Sequence, residues 1–325
     1  AGRGITSGEE NVMVGYQAGD GITSGGANCI VGVNAAGAGN ADYITAIGRE
    51  AARDLNSTDA NGTTVVGTNA LAALTSGQAN TAVGFQTLKD CDVGDFNTAV
   101  GYQALKVFDP GSDGHGSNTA VGYRAGYSVS TSENNPFLGA RAGEATTGAG
   151  NVIIGREAGV AMTSGADCVI IGHSAAAANN TRNGLVIIGS GAGASLTSGD
   201  ANTFVGGGAG RNVSSGDHNT LLGYHAGYDL VAASSHNTLI GKEAGANINV
   251  SGDGNNTCLG SEAGDVITSG QNNTIIGAGC DPTAADSDNA IVLGVGITGG
   301  GNEFNFGKSG NVVSNTFTSN ANFSH

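Results

Sequence analysis

The chain is poor in several residue types, and their scarcity limits the classes of partner that it can bind. It has 325 residues with no tryptophan, two methionines and three prolines, and only 12 lysines and arginines stand against 27 aspartates and glutamates. A formal net charge of −15 argues against nucleic acids and anionic membranes as partners, because both attract basic surfaces. No apolar run approaches the roughly 20 residues that span a bilayer, so we expect no membrane insertion.

Cysteines are few and show no motif. There are five of them, an odd number, and no pair has the CxxC spacing. This argues against a disulfide framework and against a zinc site. We predict that they fill the core as small hydrophobic residues. The positions are Cys29, Cys91, Cys168, Cys258 and Cys280.

Glycine is abundant, with 59 residues, and much of it belongs to a short phrase that occurs seventeen times. The copy at residues 97–104 reads NTAVGYQA, and its glycine defines position zero of the repeat. The seventeen central glycines are Gly15, Gly32, Gly48, Gly67, Gly84, Gly101, Gly122, Gly139, Gly155, Gly172, Gly189, Gly206, Gly223, Gly241, Gly260, Gly277 and Gly294. Ten of the sixteen gaps are 17 residues long, and such a period indicates a solenoid with one coil per copy. We predict an all-β, parallel β-solenoid of about 17 coils over residues 1–298.

Two adjacent columns of the repeat are apolar. Position −1 is Val, Ile or Leu in every copy, and position −2 is apolar in every copy as well. Neighbouring residues of a strand point to opposite faces, and a strand that is apolar on both faces is covered on both. A single solenoid covers only one face with its own coil. The second column therefore predicts another chain, and we expect a homotrimer.

Other columns are nearly invariant. Asparagine occupies position −4 in twelve copies, threonine position −3 in ten and alanine position +3 in fourteen. Stacked asparagines are expected to form amide ladders, and the central glycine is expected to adopt a conformation that other residues avoid. The alanine column predicts either a tight corner or close approach near the trimer axis. In the reference copy the predicted structural ladder residues are Asn97, Thr98, Val100, Gly101 and Ala104.

Aromatic residues recur at position +1, and three of them fall in consecutive coils. Phe85, Tyr102 and Tyr123 are therefore candidates for surface recognition. They could form a strip that stacks on sugar rings, or a ladder that only packs on itself. Longer inserts near residues 55–61, 107–117 and 229–235 are further candidates, because insertions loop out on one face of a solenoid.

Patterns of catalytic and metal-binding residues are lacking. There is no GxSxG elbow, no HExxH pattern and no convincing carboxylate pair, so we expect a non-catalytic protein without cofactor or metal. Asp-rich turns match no calcium loop. Opposite charges at positions +1 and +2, as in Arg49-Glu50, are typical of exposed ion pairs. His218 and His236 fall on neighbouring loops, and we expect them to lie close together.

The period fails from about Gly299. Residues 299–325 alternate polar and apolar residues and include Phe304, Phe306, Phe317 and Phe323. The alternation predicts short strands, which we assign to a separate C-terminal trimer tip.

The repeated phrase resembles the head repeat of trimeric autotransporter adhesins, which also occurs in bacteriophage tail fibres. The resemblance covers roughly residues 5–297. It implies a left-handed parallel β-roll in which three chains lie side by side.

The C-terminal segment has a second resemblance. The sequence GKSGNVVSN at residues 307–315, running on to NFSH at 322–325, is similar to the segment that precedes the intramolecular chaperone of phage tail fibres and spikes. In that family the chaperone trimerises the fibre and then cleaves itself off. The resemblance implies that His325 is a processed C-terminus.

These observations predict a phage tail fibre, located on the virion, that attaches to a bacterial surface glycan or protein receptor and to other tail or fibre proteins. An adhesin passenger or extracellular surface filament of a bacterial cell is the alternative. A polysaccharide-cleaving tailspike would need paired carboxylates on a groove. A monomeric ice-binding solenoid would need two parallel threonine rows, whereas the same-face neighbour of the threonine is aliphatic.

Overall fold

A computed structural model describes residues 1–112, 114–178, 181–230 and 233–316. These residues form an all-β structure, and within these ranges there is no helix long and apolar enough to cross a membrane. The chain divides into two compact units, unit 1 (Ala1–Asp167) and unit 2 (Cys168–His325). Both units consist of parallel β-solenoid coils, about 17 in all with a period of about 17 residues, which confirms the predicted fold class.

Each of the first sixteen coils contributes one three-residue strand that ends at position −1, and the strand of the last coil runs on to Val295. The strands of unit 1 are β1 (Val12–Val14), β2 (Cys29–Val31), β3 (Thr45–Ile47), β4 (Thr64–Val66), β5 (Thr81–Val83), β6 (Thr98–Val100), β7 (Thr119–Val121), β8 (Pro136–Leu138) and β9 (Val152–Ile154). The strands of unit 2 are β10 (Val169–Ile171), β11 (Val186–Ile188), β12 (Thr203–Val205), β13 (Thr220–Leu222), β14 (Thr238–Ile240), β15 (Thr257–Leu259), β16 (Thr274–Ile276), β17 (Asp281–Pro282), β18 (Ile291–Val295), β19 (Thr298–Gly299), β20 (Glu303–Lys308) and β21 (Asn311–Thr316).

The strands pair in register, so that equal repeat positions lie opposite one another. Within unit 1, Thr98 of β6 pairs with Thr81 of β5 and with Thr119 of β7. The second of these pairs is formed although the insert near residues 107–117 lengthens that coil. Within unit 2, β10 to β16 pair successively and β16 then pairs with β18. The repeat phrase therefore sets the register, and the inserts are excluded from it.

The core of each unit consists of stacked columns. The −2 residue is fully buried in sixteen of seventeen coils, Met13 being the exception. All fourteen alanines at +3 are also fully buried, Ala104 among them. A side chain with no accessible surface in the single chain cannot contact a second copy of the chain. The alanines therefore form a tight corner inside the coil, and their placement near a trimer axis is wrong.

A further core column lies at position +7, which the sequence analysis did not single out. In twelve coils this position holds an apolar, buried side chain of varying type. These residues are Ile22, Leu55, Leu74, Cys91, Phe108, Val129, Met162, Leu196, Val213, Leu230, Ile248 and Ile267. In these coils a turn segment returns one apolar side chain to the interior, whereas the same position holds the buried Thr146 in one coil and the exposed Ala284 in another.

The central glycine has a backbone conformation that other residues disfavour, as predicted. Gly101 has a φ of +133°, and sixteen of the seventeen central glycines lie between +124° and +145°. A Cβ atom on Gly101 would also lie 2.5 Å from the carbonyl oxygen of Gly122 in the next coil. Both the torsion angle and the close stacking of coils require glycine here.

Beyond residue 298, where the repeat phrase ends, the stack of strands continues. β20 pairs in parallel with β18 and places Gly307 opposite Gly294, and Gly307 has a φ of +141°. β21 then folds back on β20 as an antiparallel partner. The predicted C-terminal strands therefore include one that extends the solenoid. Phe317 and Phe323 lie outside the described residues.

Candidate recognition surfaces

The outer face of the strands carries an aliphatic row that the described residues leave wholly or partly exposed. None of the seventeen residues at −1 is buried, and Val14, Val121 and Leu222 are 57%, 41% and 45% exposed. With the exception of Met13, the −2 residues beside them point inward and are inaccessible. In each unit the coil therefore covers one apolar column and not the other, as the sequence pattern indicates. The threonines at −3 share the outer face with this aliphatic row.

The asparagine column is internal and structural. The backbone N–H and the side-chain Nδ2 of Asn97 both donate to Oδ1 of Asn80, at 2.9 and 3.1 Å. Oδ1 of Asn97 in turn accepts the backbone N–H of Asn118 at 3.1 Å. Asn97 is fully buried. The predicted amide ladder is confirmed, and its position inside the coil removes it from any recognition surface.

The aromatic candidates form a stack on the surface of unit 1. Ring centroids of Phe85 and Tyr102 lie 5.3 Å apart at 17°, and those of Tyr102 and Tyr123 lie 5.5 Å apart at 15°. Because Tyr102 stacks on both neighbours, its two faces are occupied, while 45% of the residue remains exposed. Sugar stacking needs a free ring face. The geometry therefore favours the ladder that packs on itself.

An ionic network lies at the neighbouring +2 position of unit 1. Arg124 lies over the ring of Tyr127, 4.2 Å from its centroid, and forms an ion pair with the buried Glu144 at an N–O distance of 2.9 Å. Arg141 also contacts Glu144, and this hydrogen bond, reinforced by the charge of Glu144, raises the pKa of Arg141. Two guanidinium groups therefore neutralise one buried carboxylate, and the network joins neighbouring coils.

The simpler charge pairs are exposed ion pairs, as predicted. The Arg49–Glu50, Arg156–Glu157 and Lys242–Glu243 pairs have N–O distances of 2.6, 3.7 and 3.2 Å. Such pairs contribute about 0–1 kcal/mol each.

The two histidines predicted to be neighbours are stacked in unit 2. The rings of His218 and His236 are 5.1 Å apart and nearly parallel, and Nδ1 of His236 lies 3.0 Å from Oδ1 of Asp253. In the part of the chain that the structure describes, no group of three or more His, Cys, Asp or Glu side chains could hold a metal ion.

The cysteines occupy core positions, with one exception. None of the five forms a disulfide, four are buried, and Cys29 is half-buried. Burial raises the pKa of Cys91 and of Cys258 to about 12, which keeps these thiols protonated and unreactive.

Unit 2 carries an open groove that sequence reasoning missed. It has a volume of about 610 Å³ and runs across three consecutive coils, beginning at the insert near residues 229–235. Its lining residues are Asp229, Asn247, Asn249, Asp265, Val266 and Thr268. A contiguous hollow of about 230 Å³ shares three of these residues and adds His225, Tyr228, Glu243 and Ala246. We refer to both together as the unit 2 groove.

One rim of the groove is an aromatic cluster. His225 stacks on Tyr224 with centroids 3.8 Å apart and lies tilted against Tyr228 at 4.4 Å. The previous coil has glycines beneath these rings, and a Cβ on Gly208 would lie 2.6 Å from Cδ2 of His225. The phrase Gly206-Gly207-Gly208, followed one coil later by two aromatic side chains, is the sequence signal that could have revealed this cluster.

A pair of carboxyl groups lies at the end of the same groove. Burial, followed by the charge of Asp265 and a hydrogen bond with it, raises the pKa of Asp281 to about 6. The backbone N–H of Val266 donates to Oδ1 of Asp281 at 3.2 Å and partly opposes this rise. Asp92 of unit 1 has a raised pKa for the same reasons, burial first and then its neighbour Asp109.

His325, the predicted processed C-terminus, lies outside the described residues. The chain matches no protein family, no curated protein and no solved structure.

Proposed function

We propose that this protein is a trimeric attachment fibre, specifically a phage tail fibre that contacts a bacterial surface glycan or protein receptor. The observation that carries the proposal is the aliphatic −1 row, which every coil presents and which the described residues leave wholly or partly exposed. A second and a third copy of the chain are the partners that match this row along its whole length, because each copy repeats it with the same spacing.

The free energy gained by covering the −1 row supports self-association. Covering one half-exposed aliphatic side chain contributes about 1 kcal/mol at 25 cal/mol per Å². Seven of the −1 side chains are 37–57% exposed and the other ten are less exposed, so covering all of them contributes a free energy comparable with the roughly 4–15 kcal/mol that association costs in lost translational and rotational freedom. The choice of three chains rests on the resemblance of the NTAVGYQA phrase to adhesin and tail-fibre repeats.

Attachment is the function that such an assembly fits best. Three identical chains present three copies of any binding site, so that weak individual contacts add to firm attachment. The formal net charge of −15 per chain favours neutral surface partners over nucleic acid. We place the protein on the virion, where other tail or fibre proteins would hold it.

The first experiment measures native mass by light scattering coupled to size exclusion. We expect a species of about three times 31.6 kDa for the full chain. Val121→Asp, which places a charge in the −1 row, is expected to dissociate it, whereas Thr58→Asp, at an exposed position of an insert, is expected to leave it intact. A monomeric wild type would overturn the trimer.

The second experiment measures adsorption of the labelled protein to a panel of intact bacterial cells. Saturable binding to at least one strain supports attachment. Absence of binding across the panel by a protein that is trimeric would contradict it, and would favour a purely structural filament.

A further inference from the structure

We propose that the unit 2 groove binds a neutral saccharide. The inference rests on the proposed attachment function and names the site that performs it. Its geometry consists of a polar channel across three coils with an aromatic cluster along one rim. Its volume lies within the range of small-ligand sites.

Several polar groups of the groove are available to a ligand. Nδ2 of Asn212 donates to Oδ1 of Asp229 at 2.6 Å, which leaves Oδ2 of that carboxylate as an acceptor. Asn247 uses Nδ2 to bond the carbonyl oxygen of Asp265 at 2.7 Å and keeps Oδ1. The side-chain amide of Asn249 has no hydrogen bond to any described residue and offers both donor and acceptor. Carboxylate and amide groups are suited to hydrogen bonding with the hydroxyl groups of a sugar.

The charge of the groove selects against anionic ligands. Asp229, Asp265 and Glu243 line it, and the nearby Lys242 is engaged by Glu243 and Glu262 at 3.2 and 2.9 Å. Phosphate, sulfate and uronic acids would therefore be repelled. Among the described residues the acidic groups do not form a metal-binding cluster. A neutral ligand rich in hydroxyl groups remains the best match.

The aromatic rim supplies the apolar component that sugar recognition needs. His225 and Tyr228 border the hollow beside the carboxyl and amide groups. A sugar ring has apolar C–H faces as well as hydroxyl groups, so that a mixed polar and aromatic surface complements both. Among the described rings Tyr228 contacts only His225, whereas Tyr102 of the Phe85–Tyr102–Tyr123 stack is covered on both faces.

The groove is held rigidly by the stacking of coils. The backbone N–H of Asp229 donates to Ala246 O at 2.7 Å, and that of Asn249 donates to Thr268 O at 2.7 Å. Each lining segment is thereby tied to the next coil, and little ordering is required on binding.

The chain contains a matched control for the test. Asn249 and Asn56 both occupy position +8 of their coils, both are exposed, and the backbone N–H of each donates to a threonine carbonyl one coil on, Thr268 or Thr75. Asn56 lies in unit 1, away from the groove. Comparing Asn249→Ala with Asn56→Ala therefore separates loss of a ligand contact from loss of a local structural contact.

The experiment is calorimetric titration of the full-length protein with a panel of neutral hexose, deoxyhexose and N-acetylhexosamine oligosaccharides. Tetragalacturonic acid and tetralysine serve as charged probes. We expect at least one neutral oligosaccharide to bind, with affinity falling about tenfold in Asn249→Ala and in Asp265→Asn and unchanged in Asn56→Ala.

Three outcomes would overturn the proposal. These are failure of every neutral oligosaccharide to bind, equal weakening by Asn249→Ala and Asn56→Ala, and binding of tetralysine or tetragalacturonic acid alone. The cell-adsorption assay keeps the two proposals distinct. If the Asn249→Ala protein adsorbs as well as wild type, attachment stands and the groove is not its site. If the wild-type protein binds an oligosaccharide but adsorbs to no cells, the result counts against attachment and not against the groove.

Discussion

The two faces of each strand obey different constraints. In β8 the inward Phe137 is inaccessible, whereas the adjacent Leu138 points outward and is 40% exposed. The inner columns at −4 and +3 are restricted to a single residue type in most coils, while outer position +1 holds residues as different as Tyr, Arg and Gly. At these two inner positions, strict repetition reports the geometry of the coil interior. Outer residues that differ between coils, such as those that line the unit 2 groove, are free to vary without disturbing that interior.

The largest effect is expected when side chains on the two faces of one strand are truncated to alanine. Phe137→Ala is expected to lower the free energy of unfolding by about 3–5 kcal/mol, because it removes a fully buried ring and leaves a cavity. Leu138→Ala should cost no more than about 1 kcal/mol in a dissociated chain. Denaturant unfolding at several protein concentrations measures both. A cost for Leu138→Ala that grows with concentration would indicate that another copy covers the outer face, whereas equal costs at low concentration would break the comparison.

The next test addresses hydrogen bonding on the two faces. Asn118→Ala removes the acceptor of the Asn135 backbone N–H at 3.0 Å and the donor to the Ser132 carbonyl at 3.0 Å. Because both groups would remain buried and unpaired, we expect a loss of about 2–3 kcal/mol. The outward neighbour Thr119 is the control, and Thr119→Ala should change thermal stability by less than about 0.5 kcal/mol. Similar values for both variants would show that the amide ladder does not stabilise the coil.

A smaller effect is expected from the exposed aromatic stack. Tyr102→Leu should cost about 1 kcal/mol, because it removes two stacking contacts, and Tyr102→Phe should be nearly neutral. Tyr16 occupies the same repeat position without a ring contact to any described residue, so Tyr16→Leu is the matched control. Comparable losses for Tyr102→Leu and Tyr16→Leu in thermal unfolding would argue that stacking contributes nothing.

The smallest effect concerns pH. The pKa of Asp281, raised to about 6, means that the folded state holds its proton more tightly than the unfolded chain does. The stability this group contributes is therefore present at about pH 4 and is lost as pH rises through 6, by about 1 kcal/mol after allowance for its partial exposure. Asp281→Asn should flatten that slope in unfolding measured between pH 4 and 7.

Asp54 contributes stability with the opposite dependence on pH. Its hydrogen bond with Arg53 lowers its pKa, so its contribution is present at neutral pH and is lost on acidification. If Asp281→Asn left the pH dependence of unfolding unchanged, the Asp265–Asp281 pair would not be the source of the pH-dependent stability.

Much of the fold follows from the spacing of one glycine. The period identifies the coil, and the residues at −4, −2 and +3 identify its interior. The +7 column escaped notice because it lies in turn segments, where Cys91, Phe108 and Met162 share burial but not residue type. The strand ending in Lys308 was predicted, but as part of a separate tip, because its glycine follows Gly294 by less than one period and so did not indicate a further coil.

The groove could not be predicted in the same way. Asp229, Asn247 and Asp265 come from three coils with different insert lengths, so no fixed spacing relates them. Their proximity depends on how the coils stack, which the strand register determines. The aromatic candidates were correctly placed next to one another, but this proximity covers both faces of the central ring, Tyr102.

The equal register of the strands also bears on how a gene for this chain can change. Excision of residues 81–97 would join Asn80 to Thr98 and bring β6 beside β4 with every pairing type retained. Recombination between repeats therefore alters copy number in whole coils without disturbing the neighbours, whereas a shorter deletion within a strand shifts its pairing and reverses its faces. Descendants of such a gene are expected to differ in the number of coils more readily than in the sequence of any coil's interior.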